Sequence, residues 1–145
     1  MAGPRFDPAR LEEPLLMPID EVVRELVELL DGQRVVALLA GVNSTRDVHA
    51  WMRREQPPRP ERQSVLRSAL QAARLITDLK SVASARAWFV GTNHNFDFDS
   101  PARVLRNGGD EGRIAVLRAA RDFVAEAYDH AHFVPSVARD RIREE

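Results

Sequence analysis

Apolar residues in this chain recur at three- and four-residue steps, and no run alternates convincingly at a period of two. That spacing places a stripe of side chains along one side of a helix, and the stripe must be buried against another helix. An all-α fold follows. Val22, Val23, Leu26, Val27, Leu29 and Leu30 form the first such stripe, with Asp20 as its expected N-cap and Asp31-Gly32 as its stop. Gln33 to Ala40 predicts a second helix ended by Gly41, and Ser44 or Thr45 caps a third that reaches about Arg54. Proline removes a donor and disfavours helix before it, so Gln56-Pro57-Pro58-Arg59-Pro60 is a break.

The longest helix is expected from Glu61 to about Val82, on Val65, Leu66, Ala69, Leu70, Ala73, Ile76 and Leu79. A further helix, Ser84 to Val90, ends at Gly91, and a turn-rich segment 92–99 follows, with Phe96 and Phe98 as expected anchors. Ser100-Pro101 signals a short helix to Arg106 that closes on Asn107-Gly108-Gly109, and the last clear helix runs from about Glu111 to Tyr128. Residues 1–19 carry Pro4, Pro8, Pro14 and Pro18 without periodicity and read as an extended arm. The organisation expected is this arm, a DNA-binding region over 20–82 that ends in a long connecting helix, and a small helical module over 83–145 with a polar tail.

Several chemistries are disfavoured. Without cysteine there is no disulfide framework, thiol nucleophile or thiolate zinc site. His130 and His132 stand two apart, so on a helix they diverge, and neither has a carboxylate at a familiar metal spacing. Asp97 and Asp99 lie in a loop without an identifiable base, which favours turn formation over acid–base catalysis. No glycine-rich phosphate loop or nucleophile elbow occurs. The expectation is a protein with no enzymatic activity, cofactor or metal. The sequence also lacks an apolar run of roughly 20 residues and the apolar core of a signal peptide, which predicts a cytoplasmic protein without a membrane partner.

A formal net charge of −1 argues at first against nucleic acid, but the charge is segregated. Residues 1–31 hold three arginines against eight acids, a net of −5, whereas residues 32–74 hold eight arginines against three acids, a net of +5. Within that basic island, residues 33–54 have the marks of a helix-turn-helix. Ala37 is small where two helices cross, Gly41 takes the turn, Val42 fills the gap, and Val48, Trp51 and Met52 turn inward. Arg46, His49, Ala50 and Arg53 then point outward, as on a helix that enters the major groove. Ser44, Thr45, Arg54, Arg59 and Arg62 are the accompanying candidates for phosphate contacts. The interval from Gly41 to Val48 is one residue longer than the commonest form of the motif, which shifts the groove-facing register. An ordinary helical hairpin with a solvated arginine face is the alternative.

Downstream, Trp88, Asn93, Ser100-Pro101, Leu105 and Gly108 form a tryptophan helix, an asparagine loop, a capped short helix and a glycine stop, followed by a closing helix. Over about residues 84–128 this pattern resembles the toxin-binding domain of Xre/MbcA/ParS-like antitoxins, and the upstream helix-turn-helix extends the likeness to residues 20–128. The resemblance implies a type II antitoxin that occludes the active site of a RES-like, NAD-consuming toxin encoded nearby and represses its own operon by binding operator DNA. Trp88, Asn93, Phe96, Asp97, Asp99, Arg103, Arg139 and Arg141 are the candidate toxin contacts. For Trp88 and Leu105 a core role, and for Ser100 a capping role, competes with direct contact.

Helix-turn-helix proteins usually read two half-sites, so a homodimer is expected, with the stripe Leu66, Ala69, Ala73 and Ile76 serving either as core or as its contact. A stand-alone transcriptional regulator, whose C-terminal module mediates oligomerisation or other protein binding, is the alternative function. A pure protein adaptor that does not bind DNA is the third.

Overall fold

A computed structural model describes the backbone of residues 7–144 and the side chains of residues 7–126. Among the described residues every regular element is helical: α1 (Pro8–Glu12), α2 (Ile19–Leu29), α3 (Gln33–Ala40), α4 (Thr45–Met52), α5 (Pro60–Leu79), α6 (Val82–Val90), α7 (Pro101–Asn107) and α8 (Gly109–Glu144), with 3₁₀ turns at Glu13–Leu15 and His94–Phe96. The expected all-α class is the observed one.

The axis of the fold is α5. From Ala69 to Ile76 each of its residues is buried, so this stretch is covered on all sides rather than along one stripe. It packs against α1, α2, α3, α6 and α8, and its alanines let those helices approach closely. Leu66, Ala69, Ala73 and Ile76 are therefore core within one chain, and this stripe is not a surface for a second copy. A single buried cluster runs from Val22 to Val124, taking in Phe89, Leu105 and Val116 from the C-terminal half. Residues 20–82 and the described side chains of the following segment, as far as Val124, thus share one hydrophobic core.

Several helix ends differ from the sequence expectation. Pro18, not Asp20, precedes the first turn of α2, and its carbonyl accepts from the Glu21 and Val22 N–H groups at 3.0 and 3.1 Å. Asp20 sits inside that turn, buried and paired with Arg24 at 2.9 Å, where its charge suits the positive end of the helix. The long helix stops at Leu79 because the Ser81 side chain accepts from the Ser84 N–H at 3.0 Å and so starts α6 at Val82. Gly108 and Gly112 allow the tight α7–α8 corner. A Cβ on Gly108 would lie 2.6 Å from the Val104 carbonyl oxygen and 2.8 Å from Gly112 Cα.

From residue 7 onward the N-terminal segment is not the extended arm expected. Asp7 caps α1 by accepting from the Ala9 N–H at 3.0 Å, and Pro8 occupies the first helical position, where its missing donor costs nothing. α5 then holds the segment by its carbonyls. Arg67 donates to Pro14 and Met17 oxygens at 2.8 and 2.7 Å, Gln71 to Leu11 at 2.8 Å and Arg74 to Arg10 at 3.0 Å. Arg74 is only 3% exposed and also reaches Glu13 and Glu25, each at 2.7 Å, while Arg10 pairs with Asp78 at 2.9 Å. Hydrogen bonds to Glu25 raise the Arg74 pKa above its ordinary value, burial opposes this, and Glu13 adds to the rise. On the arginine side the sign is simple: Arg74 stays charged below the ordinary arginine range, and its share of the stabilisation is lost as pH climbs through the raised value.

Candidate nucleic-acid interface and partner loop

The α3–α4 pair is built by its turn. Gly41 takes φ +80°, and its N–H and that of Val42 both donate to the Ala37 carbonyl at 3.0 Å, which closes α3. Ser44 resolves the choice of cap for α4: its hydroxyl accepts from the Arg46 N–H at 3.0 Å, and Thr45 is the first helical residue, half-buried. Ala37, Val48 and Trp51 are buried, with Val42 and Met52 packed against them. At the far end of α4, Arg24 donates to the Met52 carbonyl at 2.6 Å, a cation placed where the helix dipole is negative.

This anchoring leaves Arg46 and Arg53 exposed and His49 and Ala50 half-buried on the outer side of α4. Arg53 pairs with Glu55 at 3.0 Å, both side chains being more than half exposed. Arg54 has φ +61°, the position after a helix that glycine usually takes, and is exposed, as is Arg59 at the start of α5. Arg62 differs from the others. It donates to the Ala40 carbonyl at 3.1 Å and ties α5 to the end of α3, so part of its donor set is committed inside the fold. Arg67 and Arg74 turn inward to the N-terminal segment, which reduces the basic island available to a partner.

Two arginines absent from the sequence-predicted site join it. Arg34 on α3 and Arg106 on α7 line a cleft of about 510 Å³ together with Leu38, Asn43, Ser44 and Thr45. Arg34 is countable in the basic island, but nothing local marks Arg106, which reaches the turn only because α7 packs on α3. Arg34, Arg46, Arg54, Arg59 and Arg106 have no ion-pair or side-chain hydrogen-bond partner among the described residues.

In the other half, Asn93 organises the 92–99 loop. Its side-chain oxygen accepts from the Asn95 N–H at 2.9 Å, and its carbonyl accepts from the Phe98 N–H at 2.8 Å. Asp97 and Phe98 take φ +54° and +67°. This turn packs Phe96 against the core and turns Phe98 out, 68% exposed, so only Phe96 is the anchor expected. Asp99 accepts from the Ser100 N–H at 2.9 Å and pairs with Arg103 at 3.3 Å. Ser100 caps α7 and Leu105 is fully buried. Trp88 is half-buried, edge-on to Phe89 at 5.3 Å and stacked on Phe123 at 6.1 Å, with Lys80 Nζ 4.1 Å from the Phe123 ring centre. Trp88 and Asn93 share a cleft of about 590 Å³ with His94, Asn95, Asp122 and Glu126, whereas Asp97, Asp99 and Arg103 do not line it. Arg139 and Arg141, like His130 and His132, lie outside the residues whose side chains are described.

Among the described residues no group of three or more histidines and acids is placed to hold a metal, and no helix is long and apolar enough to cross a membrane. No family model, no curated protein and no solved structure matches the chain.

Proposed function

We propose that this chain binds DNA through α3 and α4 as a helix-turn-helix, and that it is the antitoxin of a type II module whose C-terminal helices engage a RES-like toxin. The observation that carries the DNA reading is the division of α4 into two sides. Val48 and Trp51 are locked into the core, while Arg46 in the first turn and Arg53 at the C-cap stand outside on a helix held at both ends, by Ser44 and by Arg24. A short helix so fixed presents arginines in a register that base edges and phosphates can meet. Support for a protein partner comes from the 92–99 loop, where an exposed Phe98 is held out by a turn of two positive-φ residues.

Fluorescence anisotropy of the full chain with duplexes from the region upstream of its own reading frame tests the DNA half. Binding that weakens with salt, and that is abolished in Arg46→Ala/Arg53→Ala while the thermal melt is kept, is the expected result. Equal affinity of wild type and double variant would sink it. Co-expression with the product of the adjacent reading frame tests the antitoxin half. Relief of toxicity and a co-purifying complex are expected, and an adjacent product that is harmless and does not bind leaves the stand-alone regulator.

A further inference from the structure

We infer that the cleft between α3, the 41–45 turn and α7 receives a phosphate of the DNA backbone, held between Arg34 and Arg106. The inference rests on the DNA-binding reading and adds to it a contact from the C-terminal half of the chain. Three observations lead to it.

First, Arg34 and Arg106 come from helices distant in sequence, yet they line one cleft without a carboxylate, and neither makes an ion pair or side-chain hydrogen bond among the described residues. Two exposed cations on one cleft that no carboxylate lines give it a positive potential, which favours an anion there. Second, the Arg106 side chain has a defined seat. A Cβ built on Gly41 would meet its Cγ at 3.5 Å and its Nε at 3.6 Å, so the stem lies along the bare turn and carries the head group to the start of α4. Third, the cleft adjoins the exposed face of α4 through Ser44 and Thr45. The Ser44 hydroxyl already accepts from the Arg46 N–H, so the attraction for an anion comes from the arginines rather than from an open helix end.

A phosphodiester suits this arrangement because guanidinium groups bind phosphate oxygens through paired N–H donors. On a duplex whose major groove holds α4, the backbone strand beside the groove passes the start of that helix, where the cleft opens. A contact of this kind positions the protein and carries no sequence information. It therefore differs from the contacts expected of Arg46 and Arg53, and the two are separable by experiment.

The test is the salt dependence of DNA binding by the full chain, compared with Arg106→Met, which keeps an unbranched stem over Gly41 without the charge, and with Arg106→Lys. For Arg106→Met the slope of log K against log[salt] should fall in magnitude by about 1, and affinity near 0.1 M salt should drop by about tenfold, equally for an upstream duplex and an unrelated one. Arg106→Lys should restore the slope, and the melting temperatures of all three should agree within a few degrees. An unchanged slope in Arg106→Met, with binding still abolished in Arg46→Ala/Arg53→Ala, overturns this inference and leaves the DNA reading standing. If the wild type binds no duplex, both fail. Titration with inorganic phosphate separates the sources: competition with DNA only at tens of millimolar fits a backbone contact, whereas tight phosphate binding without DNA binding makes this a free-anion site and overturns the proposal.

Discussion

The arginines of the basic island divide into two regions that do opposite work. Along α5, Arg67 and Arg74 are drawn inward, and their donors satisfy carbonyls and carboxylates of the N-terminal segment at 2.7–3.0 Å. Along α3, α4 and the turn that follows α4, Arg34, Arg46 and Arg54 are exposed without partners among the described residues. The same side chain thus serves cohesion in one region and leaves charge on offer in the other, and a count along the sequence cannot separate them. What separates them is whether acids and open carbonyls are folded against them. The acidic first 31 residues find their counter-charges partly in this island, so the segregation by sequence is partly a pairing within the fold.

Breaking the inward region should produce the largest effect. Arg74→Met removes the cation that joins Glu13, Glu25 and the Arg10 carbonyl, leaving their oxygens to water or to nothing. Loss of one partner of a fully buried pair costs about 3–5 kcal/mol, but Glu13 is more than half exposed and rehydrates readily, so about 2–3 kcal/mol is expected here. The denaturant midpoint should fall accordingly, with earlier proteolysis near residues 8–17 and unchanged DNA affinity below the transition. Reduced DNA affinity at full stability would erase the distinction between the regions.

The outward region should show the converse. Arg46→Ala/Arg53→Ala should weaken DNA binding by about ten- to a hundredfold for each base that an arginine reads, and move stability by no more than about 0.5 kcal/mol, because neither side chain touches the core. A collapse of the melting transition in this variant would mean that α4 depends on these arginines for its own structure. Intermediate in size is Ser44→Ala, which deletes the cap at the start of α4 and should cost about 1 kcal/mol. It should leave the salt slope unchanged, since a hydroxyl displaces no counterion, and a loss of DNA affinity in the fully folded variant would place Ser44 itself against a phosphate.

How much of this is legible in the sequence depends on how local the cause is. The bounds of α3 and the Gly41 turn are readable because each rests on residues within one turn of the helix, and so are the inward Val48 and Trp51. The Ser100-Pro101 start and the buried Leu105 are readable for the same reason. The N-terminal segment is not, because its order comes from Arg67, Gln71 and Arg74, at least 50 residues away along the chain. Phe98 is misread as an anchor because nothing in Phe-Asp-Phe shows that two successive positive-φ residues turn the second ring outward. Arg106 is invisible for a third reason: it lies outside the basic island and reaches the cleft beside Arg34 only through the packing of α7 on α3.

Arg54 gives the smallest and sharpest test of the comparison, because there the two roles oppose each other in one residue. Its backbone is held at φ +61°, where a side chain bearing Cβ is strained and glycine is not. The conformation follows from the close of α4, where the Glu55 N–H donates to the Ala50 carbonyl at 2.9 Å and the Arg54 N–H to the Trp51 carbonyl at 3.2 Å. Arg54→Gly relieves the strain but also frees the unfolded chain, so the net gain should be only about 0.5 kcal/mol. If the exposed guanidinium meets DNA, the same variant should bind several-fold more weakly, with a shallower salt slope. Stability and affinity should therefore move in opposite directions. A variant that gains stability and keeps its affinity would show that Arg54 is held in its turn by the backbone alone, and would remove it from the outward set.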